Sequence, residues 1–185
     1  EVDYKQLEII ALAELSRDPQ LIADCNAGVD VHTELFRSMY GKAPSEWERK
    51  QFKRLSFALI YGSGVKNMAQ QAGVSEEVAK NFKKTFEKRY PMVLVFRAAV
   101  RVALAEKRVP NVLHDLETGK PIGTSYYRLP TGRELYYREW VQSYGHKDVD
   151  FSHTEVCNYP VQSFATGDIV PVMLGRLYRK LLTLE

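Results

Sequence analysis

One run, Arg49-Lys50-Gln51-Phe52-Lys53-Arg54-Leu55-Ser56-Phe57-Ala58-Leu59-Ile60-Tyr61-Gly62-Ser63-Gly64, restricts this chain more than any other stretch. Arg49, Lys53, Phe57 and Tyr61 recur at steps of four. In an α-helix each such step turns about 400°, so the four drift only about 120° and share one broad face. Acids at Glu46 and Glu48, just after Ser45, favour a helix start there. The Gly62 and Gly64 pair favours its end. Along this face the side chains change from cations to aromatics. Two cations one turn apart can hold successive phosphates of a triphosphate. A Phe one turn on can pack on sugar or base, and a Tyr beyond it can stack on another base. A plain amphipathic helix, a membrane-surface helix or a calmodulin-target segment has a similar composition. The rest of the chain separates these readings.

Elsewhere the pattern is mostly helical. Residues 1–5 read as a short strand, and Leu7, Ile10, Ala11 and Leu15 then recur at helical spacing up to Ser16. Further helices are predicted over 20–28, over 30–39 with Asp30 as N-cap, over 75–90, and from Pro91 to about Lys107. The Pro- and Gly-punctuated stretch 109–123 reads as loop. Residues 126–129 and 134–137, joined by Pro130-Thr131-Gly132-Arg133, read as a β-hairpin. A polar loop over 138–152 and a helix from Pro160 onward complete the reading. The fold class is therefore α+β, mostly helical.

With 185 residues, 45% of them hydrophobic, the chain can bury one ordinary core. A net charge of +3 is compatible with a nucleic-acid partner. The two cysteines, Cys25 and Cys157, suit a reducing compartment without a disulfide framework. No apolar run approaches the ~18 residues of a membrane span, so no membrane partner is expected. The first residue is not Met and the last helical pattern lacks a C-cap signal, so the chain is expected to be a fragment of a longer one. Asp3, at a strand end with Glu8 just beyond the turn, can bind Mg²⁺ and meet a triphosphate from the side opposite the cationic helix.

Four motifs together carry a resemblance. Asp3-Tyr4-Lys5-Gln6-Leu7-Glu8 resembles the first polymerase motif of family A DNA polymerases, Asp-Tyr-Ser-Gln-Ile-Glu. Arg49, Lys53, Phe57 and Tyr61-Gly62 match the spacing of the second motif, on the fingers helix that closes on the incoming nucleotide. Asp30-Val31-His32-Thr33 is similar to Asp-Ile-His-Thr, and Asn158-Tyr159-Pro160-Val161-Gln162 to Asn-x-Pro-Val-Gln. The chain is identified as a member of that family, with part of a right-hand polymerase fold. The resemblance implies a palm segment over 1–18 and mainly fingers over 19–125, with the nucleotide-binding helix at about 46–62. A β-hairpin and palm helix follow over 126–185.

The resemblance also implies roles. Asp3 is the catalytic carboxylate and ligates two Mg²⁺ ions, with the Tyr4 carbonyl completing a metal shell. Glu8 sits beneath the sugar, excludes a 2′-hydroxyl and hydrogen-bonds to Tyr61. His32, Arg49 and Lys53 hold the triphosphate, and Phe57 packs on the nucleotide. Tyr61, with Gly62, meets the template, while Asn158 and Gln162 contact primer–template DNA in the minor groove. The third family motif, a His-Asp dipeptide after the palm helix, is not reached by Glu185, so the second catalytic carboxylate is expected from the remainder of the polymerase chain or a complementing polypeptide. His114-Asp115 precedes the Pro-Val-Gln motif and is not its substitute. Lys5, Ile10, Ser56 and Ala58 depart from the bacterial pattern and suggest a phage or organellar branch. Phe57 predicts discrimination against dideoxynucleotides. The implied setting is the cytoplasm of a bacterium or phage-infected host, with an organelle left open. A non-catalytic nucleotide- or DNA-binding fragment is the alternative. A single-subunit RNA polymerase is disfavoured by Glu8, whose carboxylate would crowd a ribose 2′-hydroxyl.

Overall fold

Short polar residues decide where the helices begin. The computed structural model, which describes residues 6–141 and 149–183, places α1 at Leu7–Ser16, α2 at Pro19–Asn26 and α3 at Val31–Tyr40. Helices α4 (Glu46–Ile60), α5 (Val65–Ala72), α6 (Glu76–Arg89) and α7 (Met92–Glu106) follow. The buried Asp18 carboxylate accepts from the backbone N–H of Leu21 at 2.9 Å and of Met92 at 2.9 Å. One acid thus caps α2 and anchors the start of α7. Ser45 opens α4 with a capping box: its hydroxyl accepts from Glu48 N–H at 3.3 Å, and the Glu48 carboxylate accepts from Ser45 N–H at 2.7 Å.

Two packing centres result. Phe36, Phe52 and Phe82 meet edge-to-face at 4.9 and 5.3 Å, joining α3, α4 and α6 around one aromatic core. Helix α1 instead packs against α7 and against α8 (His153–Gln162), burying Ala11 and Leu12 completely. The cationic-aromatic face of α4 is left outside both centres because its opposite face carries Phe52, Leu55 and Leu59 into them.

The strands β1 (Val109–His114), β2 (Pro121–Arg128), β3 (Glu134–Val141) and β4 (Val149–Phe151) form one antiparallel sheet in chain order. The predicted hairpin forms β2 and β3, with Arg128 opposite Glu134. Two loop assignments are corrected. The stretch 109–123 contains β1 and the start of β2. Its β1 is exposed along its whole length, so it shows no alternation, and its Pro110 lies on an edge strand where proline is tolerated. Within 138–152, β3 continues to Val141 and β4 follows. The alternation there is disguised by a charged inward residue: Glu139 is 3% exposed and paired with Arg108, and it accepts from Gly123 N–H at 2.6 Å. Helix α5, unassigned from sequence, and the first turns of α8, capped by Ser152, extend the helical content. The predicted strand over 1–5 lies outside the described residues.

After α8 the helix continues through a π-helical stretch, Ser163–Ile169, into α9 (Val170–Leu182). Gly167 lets the hairpin reach it. A Cβ there would lie 2.4 Å from Arg133 Nη1. Without one, Arg133 pairs with Asp168 at 3.2 Å and donates to the Ser163 carbonyl, and the Thr131 hydroxyl donates to Asp168 at 3.0 Å. Among the described residues no helix is long and apolar enough to cross a membrane.

Candidate nucleotide-binding site

Helix periodicity brings the predicted row together. Along α4, Lys53 Nζ lies 5.6 Å from the Phe57 ring centre, and the Phe57 and Tyr61 rings are 6.1 Å apart. Helix α3 lies alongside and adds His32, whose ring is 6.1 Å from Phe57. Asp30, predicted only as an N-cap, does more. Its carboxylate caps α3 through His32 N–H at 3.2 Å, accepts from the Thr33 hydroxyl at 3.0 Å and binds Arg49 Nε at 2.5 Å. Burial would raise this acid, but the hydrogen bonds from Arg49 and Thr33 outweigh it and hold the carboxyl below its usual range. Arg49 is therefore an oriented, half-neutralised cation. Lys53 is exposed and makes no ion pair among the described residues, so its whole charge faces outward.

His32 is 2% exposed and leans on Ser56, a residue the sequence reading treated only as a departure from pattern. The Ser56 hydroxyl donates to the Phe52 carbonyl at 2.9 Å, so its oxygen accepts from His32 Nδ1–H at 2.8 Å. That network assigns the neutral tautomer with the lone pair on Nε2. Burial, with Arg49 and Lys53 nearby and only Asp30 opposing, pushes His32 down to about 4. A histidine depressed when folded binds a proton more readily when unfolded, so its stability contribution is intact above its ordinary pKa and is lost as pH falls from about 6.5 to about 4. Urea denaturation of the parent should therefore show a decline on the order of 3 kcal/mol across that window. His32→Gln should flatten it, and an unchanged slope would refute the assignment.

Glu8, at the start of α1, faces the far end of the row. The expected hydrogen bond to Tyr61 is absent among the described residues. Instead, burial and the neighbouring Glu8 charge together push the Tyr61 hydroxyl up. Gln6 ties this end to α3, donating to the Val29 carbonyl at 3.2 Å and accepting from Val31 N–H at 3.1 Å. Asp3 and Tyr4, the predicted catalytic and metal-binding residues, lie outside the described residues. Among the described residues no group of three or more His, Cys, Asp or Glu could hold a metal ion.

The end of α4 is fastened by two contacts the sequence did not disclose. The Arg97 guanidinium on α7 donates to the Leu59 and Ile60 carbonyls at 2.7 and 3.0 Å, closing the helix C-terminus. Gly62, at φ 76°, packs on α8: a Cβ there would lie 3.1 Å from Cys157 Cβ and Sγ. One residue on, Asn158 donates to Gln162 at 3.1 Å, while its buried Oδ1 has no hydrogen-bond partner among the described residues. The structure thus joins Glu8, His32, Arg49, Lys53, Phe57 and Tyr61 in one row, with Gly62, Asn158 and Gln162 behind its end.

A family model described as DNA polymerase family A matches residues 1–184. A DNA polymerase of Mycobacterium phage D29 is 32% identical over 126 residues, covering 67% of this chain and 20% of the relative. DNA polymerase I of Helicobacter pylori strain 26695 is 32% identical over 92 residues, 50% of this chain and 10% of that protein. The chain therefore spans a fifth or less of these two relatives. In fold it is similar to the POL domain of Pol1 from M. smegmatis, solved in complex with DNA primer-template and dNTP. That match has a TM-score of 0.60 and 24% identity, and covers 88% of this chain and 26% of the other.

Proposed function

The chain belongs to DNA polymerase family A, and from that premise we propose that it binds an incoming deoxynucleoside triphosphate against primer–template DNA for template-directed DNA synthesis. The observation that carries this reading is the α4 row, with Lys53 paired to no carboxylate among the described residues, Arg49 oriented by Asp30, and aromatics following at one-turn intervals. Lys53 and Arg49 take the phosphates, with His32 beside them. Phe57 packs on the nucleotide, Glu8 lies under the sugar and Tyr61 with Gly62 meets the template. The Asn158 oxygen, without a hydrogen-bond partner among the described residues, suits a donor on the minor-groove edge, and Gln162 shares that contact. In the reaction, the primer 3′-oxygen forms a bond to the α-phosphorus as pyrophosphate leaves. The chain's own cations act on the phosphate charge.

Mg²⁺ is the proposed cofactor, and the hard oxygens of the Asp3 carboxylate and the Tyr4 carbonyl suit it. Among the described residues no group of three or more His, Cys, Asp or Glu could hold the ion. In this reading 1–18 is a palm segment, 19–125 belongs mainly to the fingers, and 126–185 supplies a β-hairpin and a palm helix. Helix α9 exposes Val172, Met173, Leu174, Leu177, Tyr178 and Leu181 and buries none of its residues, which fits burial against the remainder of a polymerase or a complementing polypeptide. The setting is the cytoplasm of a bacterium or phage-infected host, or an organelle.

The reading is tested by equilibrium binding with primer–template present. Affinity should fall stepwise from dNTP to dNDP to nucleoside; equal affinity for all three would refute phosphate recognition by the row. Glu8→Ala should lower the preference for dNTP over NTP by about tenfold or more. An unchanged preference would remove Glu8 from sugar selection.

A further inference from the structure

The open face of the hairpin sheet carries chemistry that the nucleotide row does not use. Between β3 and α8 lies an open groove of about 450 Å³, with Tyr136, Tyr137, Arg138, Trp140, Glu155 and Tyr159 among its walls. Its rings are held in place. The Glu155 carboxylate accepts from the Trp140 indole N–H at 3.4 Å and from the Tyr159 hydroxyl at 3.4 Å. The Arg138 guanidinium lies 3.7 Å from the Trp140 ring centre. On the same sheet face Tyr126 and Tyr136 pair at 6.0 Å, and Lys107 lies 4.6 Å over Tyr126.

Three properties narrow the ligand. Tyr136, Tyr159 and Trp140 are 71%, 40% and 37% exposed, so part of each ring is open to solvent, with Arg138 over one face of Trp140. Arg138 makes no ion pair among the described residues, which leaves one cation beside those rings for an anionic partner, with Lys107 outside the groove over Tyr126. Tyr137, 2% exposed and pointing to the buried face of β3, backs the groove with its ring 5.5 Å from that of Tyr159. Exposed rings and a cation without a carboxylate partner among the described residues together suit bases and phosphates. The Glu155–Tyr159 stripe also lies one residue round α8 from Asn158 and Gln162, so the groove adjoins the proposed primer–template contact.

We propose that this groove binds unpaired nucleotides of a single DNA strand. Bases stack on the open parts of Tyr136, Trp140 and Tyr159, and Arg138 meets the phosphates. The site is separate from the α4 row and rests on the polymerase reading only for the choice of DNA as its ligand.

The test uses a short fluorescein-labelled oligo(dT) and the 185-residue chain. Tyr136→Ala with Trp140→Ala should weaken binding about tenfold or more, and Arg138→Gln should weaken it and flatten its salt dependence. Both rings are exposed, so thermal melting should be unchanged. The chain has two tryptophans, so in a Trp47→Phe background oligo(dT) should quench Trp140 directly. Equal oligo(dT) affinity of parent and double variant would overturn the proposal. So would quenching of Trp140 by tetramethylammonium but not by oligo(dT), which would mark an aromatic cage for a cation. Either negative result leaves dNTP binding at Arg49 and Lys53 untouched, so the two readings fail separately.

Discussion

In a polymerase that contains this segment together with the second catalytic carboxylate, Lys53→Ala is expected to cut single-turnover nucleotide incorporation by about 10²–10³-fold, or roughly 3–4 kcal/mol of transition-state stabilisation. The size follows from how the two cations of the row are used. Arg49 already spends part of its charge on Asp30 at 2.5 Å, whereas Lys53 makes no ion pair among the described residues. Under the proposed reading, charge developing on a transferring phosphoryl group would be met chiefly by Lys53. Lys53→Arg should retain most activity, since charge matters more here than the shape of the head group. Arg49→Ala has a different signature: it removes a cation and also leaves Asp30 beside the incoming phosphates as a bare carboxylate. It should raise the KM for dNTP and destabilise the α3–α4 junction together, while Lys53→Ala leaves the melting temperature near the parent's. Incorporation by Lys53→Ala within threefold of the parent would refute the assignment.

The row was legible in the sequence because helical period alone sets which residues share a face. Arg49, Lys53, Phe57 and Tyr61 needed no tertiary information to be grouped. What restrains them was not legible. Asp30, Ser56 and Arg97 act across helices separated by 19 to 38 positions, and no local pattern distinguishes such residues from ordinary capping, polar or solvated ones. Asp30 did carry one usable signal, since an N-cap carboxylate has a second oxygen free to take a cation. The Glu8–Tyr61 hydrogen bond expected from the resemblance fails for a related reason. Proximity in a motif fixes which elements meet, not the side-chain contact.

The sheet shows the converse. The β2–β3 hairpin was readable from its turn residues, but its neighbours were not. Strand β1 is exposed throughout and therefore has no inward period, and β3 carries Glu139 at an inward position where alternation calls for an apolar residue. Arg108, 31 positions away, makes that acid tolerable. Hydrophobic patterning fails where a buried charge is satisfied by a distant partner.

A second such charge supports the largest stability prediction. Asp24→Ala is expected to destabilise the chain by about 3 kcal/mol, because it leaves the fully buried Tyr90 hydroxyl without its acceptor and Arg89 with only Glu34, at 3.5 Å, as a carboxylate partner among the described residues. Asp24 is 6% exposed and sits where α2, α3 and α6 meet. Arg89 donates to it through Nε at 3.1 Å and Nη2 at 2.9 Å, Tyr90 donates at 2.7 Å and Gln20 at 2.8 Å. Burial pushes Asp24 up, but the bonds from Tyr90, Arg89 and Gln20 prevail and hold the carboxyl below its usual range. Its stabilisation is thus present above the ordinary carboxylate pKa and lost as pH falls below it. Tyr90→Phe removes one of these bonds and leaves the carboxylate paired with Arg89, so about 1–2 kcal/mol is expected. Asp24→Ala with Arg89→Met removes both charges, and should be more stable than the sum of the single losses by more than about 1 kcal/mol. Urea denaturation of the four proteins decides it. Additive losses would mean that Asp24 and Arg89 each find solvent, and that the junction of α2 and α6 is held by Leu21, Phe86 and Tyr90 packing rather than by the ion pair.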